Sequence, residues 1–388
     1  MSTPIWLYLA SMEMWRNWGR FLLVSLVVAL ITLLVVFLAG LAEGHSLGNK
    51  EFLGKLDGEL IVFQEQANLS LPSSQLGNDI KRKVKRLSGV GEVGAIGFSS
   101  VFVTNDRNEW EEGVSLFGVE PGKPGEPIAL KGRQLDSDRA KEAIIGRNVA
   151  LSTGLMVGDT LVVKSTQAGE EELHSLEIVG ITDGQQYFFQ PSIFVPLQTW
   201  DLIRPTPIVD NGQSSVTYNI VNVKMVNPPK EEDLAQLIQQ EVQDVEVTDR
   251  RTAYEAVPGY QDQQRTFNTQ QGFTFLIGIL VVGGFFQIQT LQKVGQVGML
   301  KALGTSNLVV SLTTITQIFI TNSFGVLIGA FATVLLASAL PSSIPIVFVG
   351  QQVAIALVAL LFIGPLGGLV SLRYLTKVEP LTALGLSS

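Results

Sequence analysis

The chain has 388 residues, a net charge of −8 and a mean hydropathy of +0.32. It is therefore too apolar for a soluble protein and too charged for one that lies entirely within a membrane. Residues 1–20 carry +1 and residues 272–388 carry +3, so residues 21–271 hold −12, and a segment this acidic is a poor ligand for nucleic acid. The absence of cysteine excludes thiolate chemistry and Cys-based zinc or iron–sulfur sites.

The N-terminal part predicts an interfacial helix followed by a membrane span. Residues 21–42 carry no charge and, at ~1.5 Å per residue, can cross a hydrocarbon core of ~30 Å. A cleaved signal peptide is the alternative, but its apolar region is only ~7–15 residues long. Residues 1–20 mix aromatic side chains with Glu13 and Arg16, which predicts a helix in the cytoplasmic headgroup region. One straight helix with an aromatic belt is the alternative.

Residues 43–271 predict a large α+β domain that contains two βαβ units. The first has strands at 59–63 and 93–103 and a helix capped by Ser73 or Ser74, and the second begins at Asn219. We expect the units to pack as two small α+β layers, with chance similarity of two common patterns as the alternative. Short β-type runs between glycines predict a β-rich subdomain at about 113–200. The predicted helices present apolar faces made of Leu76, Ile80, Val84 and Leu87 in the first unit, and of Leu234, Leu237, Ile238 and Val242 in the second.

Residues 272–388 predict three further spans, at 272–291, 308–340 and 351–372. The last two are separated by a turn containing Pro341, Ser342, Ser343 and Pro345. The fold class is therefore a membrane protein with four transmembrane α-helices, arranged one plus three, and a large α+β extracytoplasmic domain between the first and the second.

The basic residues beside the spans indicate the orientation. They lie before the first span, between the second and third, and after the fourth, whereas the loop at 341–350 has none. The positive-inside rule then places both termini in the cytoplasm and the acidic domain outside. These basic residues are Arg16, Arg20, Lys293, Lys301, Arg373 and Lys377.

Polar residues and glycines inside the spans predict close helix packing. Gln287, Gln289, Gln317 and Asn322 should face other helices, because lipid penalises polar groups. The spacings Gly325/Gly329 and Gly364/Gly368, together with Gly278, Gly283 and Gly284, fit a tight bundle and an oligomer equally. The predicted spans contain no charged residue, so we expect the energy for any transport to come from elsewhere.

No catalytic constellation is visible in the sequence. His45 and His174 lie far apart and outside any metal-ligand spacing, and Glu170 to Glu172 indicate a solvated run. The basic cluster from Lys81 to Arg86 fits the polar face of a helix better than an anion site. No stretch matches the Walker pattern G-x-x-x-x-G-K-[ST], so we predict that the chain is not itself an enzyme and that any ATP binds to another subunit.

The most specific segment is K-V-G-Q-V-G-M-L-K-A-L-G, from Lys293 to Gly304, within a cytoplasmic loop at 292–307. It predicts a short amphipathic helix with Val297, Leu300 and Leu303 on one flank, Lys301 exposed, and Gly304 as C-cap.

This segment resembles the R-x-x-E-I-G-x-x-K-A-L-G motif of the MacB/FtsX family of ABC transporter permeases, with Lys293 in place of the usual Arg and Gln296 in place of Glu. The resemblance covers the full chain. It includes residues 142–163, where a short helix precedes a G-D-x-[LI] strand, and the C-terminal R-x-x-x-K-x-x-P-L-x-A-L at 373–384. The L-K-A-L-G and L-D-G-E-L-I-V-F segments are most similar to DevC-type exporter permeases.

The resemblance implies a homodimer in the bacterial cytoplasmic (inner) membrane, bound to separate subunits that hold ATP and Mg²⁺. It also implies export or extraction of a lipid, lipoprotein, peptide or drug, with a membrane-fusion or adaptor protein as a further partner. The alternatives are a receptor or scaffold with an external sensing domain, and a membrane enzyme with an unrecognised site. The implied ATPase-coupling residues are Lys293, Gln296, Gly298 and Lys301 with Gly304, and an apolar anchor of Met299, Leu300 and Leu303.

Overall fold

A computed structural model describes residues 5–105, 110–167, 169–205, 217–226, 231–340 and 346–376. The predicted turn at 341–345, Lys377 and most of the C-terminal motif at 373–384 lie outside the described residues. The chain forms two compact units, one made of Met1–His45 with Gln264–Ser388 and the other of Ser46–Gln263.

Within the described residues there are ten α-helices and thirteen β-strands. The helices are α1 (Ile5–Arg16), α2 (Trp18–Gly54), α3 (Asn78–Lys85), α4 (Arg147–Thr153), α5 (Leu197–Ile203), α6 (Glu231–Glu241), α7 (Arg250–Glu255), α8 (Tyr260–Ala302), α9 (Asn307–Ala339) and α10 (Gly350–Thr376). The strands are β1 (Leu60–Gln64), β2 (Leu76–Gly77), β3 (Val90–Thr104), β4 (Glu111–Val119), β5 (Ala129–Gly132), β6 (Glu142–Gly146), β7 (Thr160–Gln167), β8 (Glu170–Thr182), β9 (Gln186–Tyr187), β10 (Gln190–Pro196), β11 (Thr217–Tyr218), β12 (Ile220–Met225) and β13 (Val245–Asp249).

The prediction of four spans is confirmed by four helices that are long and apolar enough to cross a membrane: α2, α8, α9 and the Gly350–Gly368 part of α10. The helices α2 and α8 are longer than the predicted spans at 21–42 and 272–291. With 43 residues, α8 measures about 65 Å, roughly twice the thickness of a hydrocarbon core. The helix does not stop where the apolar run stops, because the polar residues on either side are also compatible with helix.

The N-terminal segment is not one straight helix. The helix breaks at Asn17, and α1 contacts α9, where the Thr313 hydroxyl donates to the Trp6 carbonyl at 3.4 Å. The alternative of a single helix with an aromatic belt is therefore wrong.

The membrane unit has an apolar core that α2, α8, α9 and α10 build together, with Val28, Phe286, Ile318 and Ile363 among its members. Several of its glycines lie at close helix contacts within the chain. Methyl groups at Gly325 and Gly329 of α9 would overlap α2, and Gly283 of α8 packs backbone to backbone on Gly367 of α10. Methyl groups at Gly364 and Gly368 of α10 would overlap Asn322 and Ile318 of α9, so both G-x-x-x-G spacings are used inside one bundle.

The two βαβ units interleave in one sheet, so the expected two layers do not form. Strand order β13-β1-β12-β3 places a strand of each unit between two strands of the other, and every neighbouring pair is antiparallel. Val84 of α3 and Leu234 and Ile238 of α6 enter the same apolar core, so both helices cover one face. This is the split βαβ arrangement.

The predicted β-rich subdomain at about 113–200 is not separate, because the long strand β3 belongs to both parts. Beyond its pairing with β12, β3 pairs with β4 and β7. The pairings β3-β4-β10-β6-β8-β7 and back to β3 form a closed ring of six strands. The G-D-x-[LI] stretch follows α4 and opens β7, in agreement with the prediction for residues 142–163.

The first βαβ helix begins later than predicted. Gly77 is its N-cap, without a side-chain hydrogen bond, and Leu76 lies in β2. The Ser74 hydroxyl instead accepts from the Gln64 amide at 2.8 Å and donates to the Asn219 carbonyl at 2.6 Å. The predicted cap residue therefore joins β1 to the start of β12, because a buried hydroxyl must find partners wherever the fold provides them.

Candidate functional site

The predicted coupling segment is the C-terminal end of α8 and not a separate short helix. The helix continues through Lys293 and Gly298 to Ala302, and α9 begins at Asn307 after the N-cap Ser306, whose hydroxyl accepts from the Val309 amide at 3.4 Å. Glycine inside a helix costs about 1 kcal/mol without ending it, so Gly295 and Gly298 do not interrupt α8. The loop proper is reduced to four residues, 303–306.

Gly304 ends α8 as predicted. Its φ is +93°, in the left-handed region, where a side chain is disfavoured. The Thr305 amide donates to the Leu300 carbonyl and the Gly304 amide to the Lys301 carbonyl, both at 3.0 Å. These two bonds are the Schellman pattern, which turns the chain sharply into α9.

The buried and exposed side chains of the segment differ from those that the predicted amphipathic pattern gives. Val297 is buried against Val310 of α9, whereas Leu303, placed on the same predicted flank, is 80% exposed. Lys301, predicted to be exposed, is half-buried. The exposed side chains of the segment include Gln296, Met299 and Leu300 of α8 and Leu303 just after it, while Gly298 is buried.

Lys293 faces the interior and is held by two other helices. Its ammonium forms an ion pair with Glu13 of α1 and donates to Gln317 Oε1 of α9 at 3.4 Å. The amide nitrogen of Gln317 donates to Glu13 Oε2 at 2.8 Å, so the three side chains form a closed ring of contacts. Lys293 is therefore not part of the exposed surface of the coupling segment. Glu13 and Lys293 both lie outside the predicted spans, Glu13 in α1 and Lys293 in the part of α8 that extends beyond residue 291.

This Glu13–Lys293–Gln317 cluster was not predicted. From the sequence, Glu13 was predicted only to belong to an interfacial helix, Gln317 only to be a polar residue in a span, and Lys293 only to be part of the motif. Each of the three segments has a polar residue within or beside an apolar run, which indicates that the residue needs a partner. This pattern does not indicate which residues contact each other.

A second polar contact holds the same end of α8. The guanidinium of Arg20, at the start of α2, donates to Gln292 Oε1 at 2.9 Å. The ammonium of Lys293 also lies 5.7 Å from the centre of the Phe21 ring, within cation–π distance. Residues 292–293 are thus contacted by α1, α2 and α9.

No group of three or more His, Asp or Glu residues that could hold a metal ion occurs in the described part of the chain.

Two family models together match most of the chain. Residues 21–244 match the MacB-like periplasmic core domain, and residues 272–380 match the FtsX-like permease C-terminal domain. The chain belongs to the MacB/FtsX family of ABC transporter permeases. As a family member it is the permease component of an ABC transporter, an integral protein of the inner membrane, with an ATP-binding subunit as its partner.

Relatives of this MacB/FtsX-family permease include proteins whose names assign them to a hemin transport system. The permease protein HrtB of Staphylococcus haemolyticus is 25% identical over 369 residues, which are 94% of this chain and 95% of that protein. An HrtB of Staphylococcus epidermidis is 24% identical over 368 residues, with the same coverage.

Two solved structures are similar to about half of this chain. The periplasmic region of MacB from Actinobacillus actinomycetemcomitans has 12% identity and a TM-score of 0.36, covering 50% of this chain and 90% of that one. The extracellular domain of the ABC-type transporter YknZ from Gram-positive bacteria has 13% identity and a TM-score of 0.34, covering 49% and 99%.

Proposed function

We propose that this permease couples ATP hydrolysis on its partner subunit to movement of its extracytoplasmic domain, and that the end of α8 is the contact. The supporting observation is the exposure of Met299 and Leu303, which are 57% and 80% exposed at a helix end that Gly304 caps. Apolar side chains clustered on a surface and rimmed by polar ones mark protein interaction sites. Gln296 and Lys301 supply that rim.

The continuity of α8 gives this contact a mechanical consequence. Met299 lies on α8 and Leu303 directly follows its last residue, Ala302, so a force applied at these side chains acts on the helix that crosses the membrane. We infer that ATP-driven closure of the partner subunits displaces the end of α8 and, with it, the membrane helix. ATP and Mg²⁺ are then held by the partner, and this chain contributes the moving surface.

This proposal requires the α8–α9 turn to face the cytoplasm. The positive-inside rule supports that orientation through Arg16, Arg20, Lys293 and Lys301, all near one end of the spans. Both termini are then cytoplasmic and the acidic domain is extracytoplasmic. We further propose a homodimer with two ATP-binding subunits, as the family resemblance implies.

For the substrate we propose an amphiphilic compound. The resemblance implies export or extraction of a lipid, lipoprotein, peptide or drug, and the names of the relatives add hemin as a specific candidate. We expect the purified complex to show ATP hydrolysis that is stimulated by the correct compound, so hemin and a panel of lipids and amphiphilic drugs are the first ones to test. A membrane-fusion or adaptor protein is the further partner that the resemblance implies.

The docking surface is tested by co-expressing the full chain with its partner ATP-binding subunit. Leu303→Glu places a charge in the proposed apolar contact, and we expect co-purification to fall by about tenfold or more, because an unpaired charge is costly to bury. Leu151→Glu, at an exposed leucine of α4, is the matched control and should leave co-purification unchanged.

Two results would contradict the proposal. If Leu303→Glu retained the subunit and its stimulated ATPase activity, the docking surface would lie elsewhere. If the unmodified chain brought down no ATP-binding subunit, the receptor or scaffold alternative would be favoured.

A further inference from the structure

The Glu13–Lys293–Gln317 cluster joins three helices at one point. Both carboxylate oxygens of Glu13 are engaged, Oε1 by the Lys293 ammonium and Oε2 by the Gln317 amide nitrogen. The amide oxygen of Gln317 accepts from Lys293, which closes the ring. Each member comes from a different helix, so no two of these helices can separate there without breaking at least one contact.

The cluster is partly buried. Gln317 is 2% exposed, and the side chains of Lys293 and Glu13 are 22% and 28% exposed. Removing one partner of a shielded ion pair leaves the other charge without compensation, which costs much more than losing a pair on an open surface. The cluster therefore strongly favours the arrangement in which α1 stays bound to α8 and α9.

Further contacts join the same helices. The Thr313 hydroxyl of α9 donates to the Trp6 carbonyl of α1, and Arg20 of α2 donates to Gln292 of α8. Met299 lies six residues after Lys293 on α8, about 9 Å along the helix axis, and Leu303 directly follows Ala302, the last residue of α8. The polar cluster and the proposed docking surface thus belong to one rigid helix end.

We propose that Glu13 is a positioning residue for the docking surface: it binds α1 to the cytoplasmic end of α8, so that α1, this end of α8 and the start of α9 move as one body. This inference rests on the proposed function, because it assigns α1 a part in transmitting the force applied at Met299 and Leu303. The interfacial helix is then a moving element of the coupling mechanism and not a passive anchor.

The charge-exchange variant tests the ion pair specifically. Glu13→Lys and Lys293→Glu, each alone, place like charges together, and we expect each to lower the permease-dependent ATPase activity roughly tenfold, the usual size of a coupling between two sites. The double variant Glu13→Lys/Lys293→Glu restores opposite charges, and the amide of Gln317 can rotate to serve both. Its activity should return to within about threefold of the unmodified chain.

The control is Arg16→Gln, which removes a charge from an exposed position of the same helix and should retain full activity. Binding of the ATP-binding subunit is measured in parallel. Both single variants should still co-purify with the subunit, since Met299, Leu300 and Leu303 are unchanged. Loss of binding already in the unmodified chain would contradict the proposed function, whereas bound subunit with fully active single variants would contradict only the role of Glu13.

A structural readout separates positioning from general damage. Because the chain has no cysteine, Trp6→Cys with Thr313→Cys provides a crosslink that reports α1 lying on α9. We expect efficient crosslinking by a short bismaleimide in the unmodified background, weaker crosslinking with Glu13→Lys, and recovery in the charge-exchange variant. The crosslinked complex should keep its stimulated ATPase activity, since α1 moves together with α8.

Two outcomes would overturn the inference. One is a double variant as inactive as either single variant, because the effect would then not depend on the ion pair. The other is loss of activity on crosslinking, because α1 and α9 would then have to separate during the cycle.

Discussion

The side-chain amide of Asn322 on α9 donates a hydrogen bond of 3.0 Å to the backbone carbonyl of Leu361 on α10. Pro365 lies four residues after Leu361 and has no N–H, so the Leu361 carbonyl lacks its usual partner within the helix. Asn322 also donates to the Leu360 carbonyl at 3.0 Å. In a membrane a free carbonyl is costly, and Asn322 thus makes the proline in α10 tolerable.

A double-mutant cycle tests this relationship. We expect Asn322→Ala to lower the free energy of unfolding by about 1–3 kcal/mol, because it leaves a shielded carbonyl unpaired. In a Pro365→Ala background the new N–H can bind Leu361, so the same change at Asn322 should cost less, with a coupling of about 1 kcal/mol. The measurement is unfolding of the full chain in detergent. Equal costs in both backgrounds would show that Asn322 does not act on the carbonyl that Pro365 leaves free.

Replacing different glycines of the membrane helices by alanine should change the stability by unequal amounts. A methyl group at Gly329 would overlap the Ala29 carbonyl and the Thr32 side chain of α2, whereas one at Gly284 would meet no heavy atom of the described residues within 4 Å. We expect Gly329→Ala to destabilise the bundle by about 1–3 kcal/mol. Gly284→Ala should be neutral or slightly stabilising, since alanine is the better helix former. Thermal unfolding in detergent compares the two, and equal stabilities would contradict the α2–α9 contact.

Two paired glycines of the extracytoplasmic unit make room for Trp200. Gly97 of β3 and Gly118 of β4 are register partners, and a methyl group on either would overlap the indole, which is 2% exposed. We expect Gly118→Ala to destabilise the full chain by about 1–3 kcal/mol through overpacking. Gly113→Ala, on the same strand but with its nearest contact at 3.6 Å, is the matched control. If both variants unfolded at the temperature of the unmodified chain, Trp200 would not be packed as described.

The Arg133–Glu142 pair predicts that the stability of the protein falls at acidic pH. Arg133 donates to Glu142 Oε2 at 3.0 Å, and this side-chain hydrogen bond is the main cause of a pKa of Glu142 below its ordinary value of 4.5. The unfolded chain then binds the proton first, so the stabilisation is present above pH 4.5 and is lost as the pH falls through the lower, folded pKa. We expect Glu142→Gln to be less stable than the unmodified chain at neutral pH and to lose less stability between about pH 5 and 3. Glu92→Gln, an exposed carboxylate of β3, is the control, and identical acid profiles for Glu142→Gln and the unmodified chain would contradict the pairing.

Part of the coupling segment was predictable because the signals were local. Gly304 followed a helical pattern, and its left-handed φ is a property of the residue and its immediate neighbours. The division of the segment into buried Val297 and exposed Leu303 was not predictable, since it depends on where α9 packs. The continuity of α8 was also missed, because the predicted boundary followed the apolar run and not the helix.

In the extracytoplasmic unit the strands were largely predictable and their arrangement was not. Periodicity placed strands at 59–63, 93–103 and 220–225, near β1, β3 and β12. It could not show that β12 pairs with both β1 and β3, or that β7 closes a ring against β3. Strand pairing joins residues far apart in the chain, and alternation of apolar residues does not specify a partner.

The four spans, the position of the acidic domain between the first and second span, and the family could all be predicted from the order of residues, because apolar runs, charge and motifs are properties of consecutive residues. The folded structure was needed to show that Glu13 and Lys293, 280 positions apart, form an ion pair, and that Asn322 donates to a carbonyl whose usual helix partner is missing at Pro365. One cause explains both contacts. A polar group in a membrane helix must find a partner, and the packing of the helices, which the order of residues does not show directly, selects which one it meets.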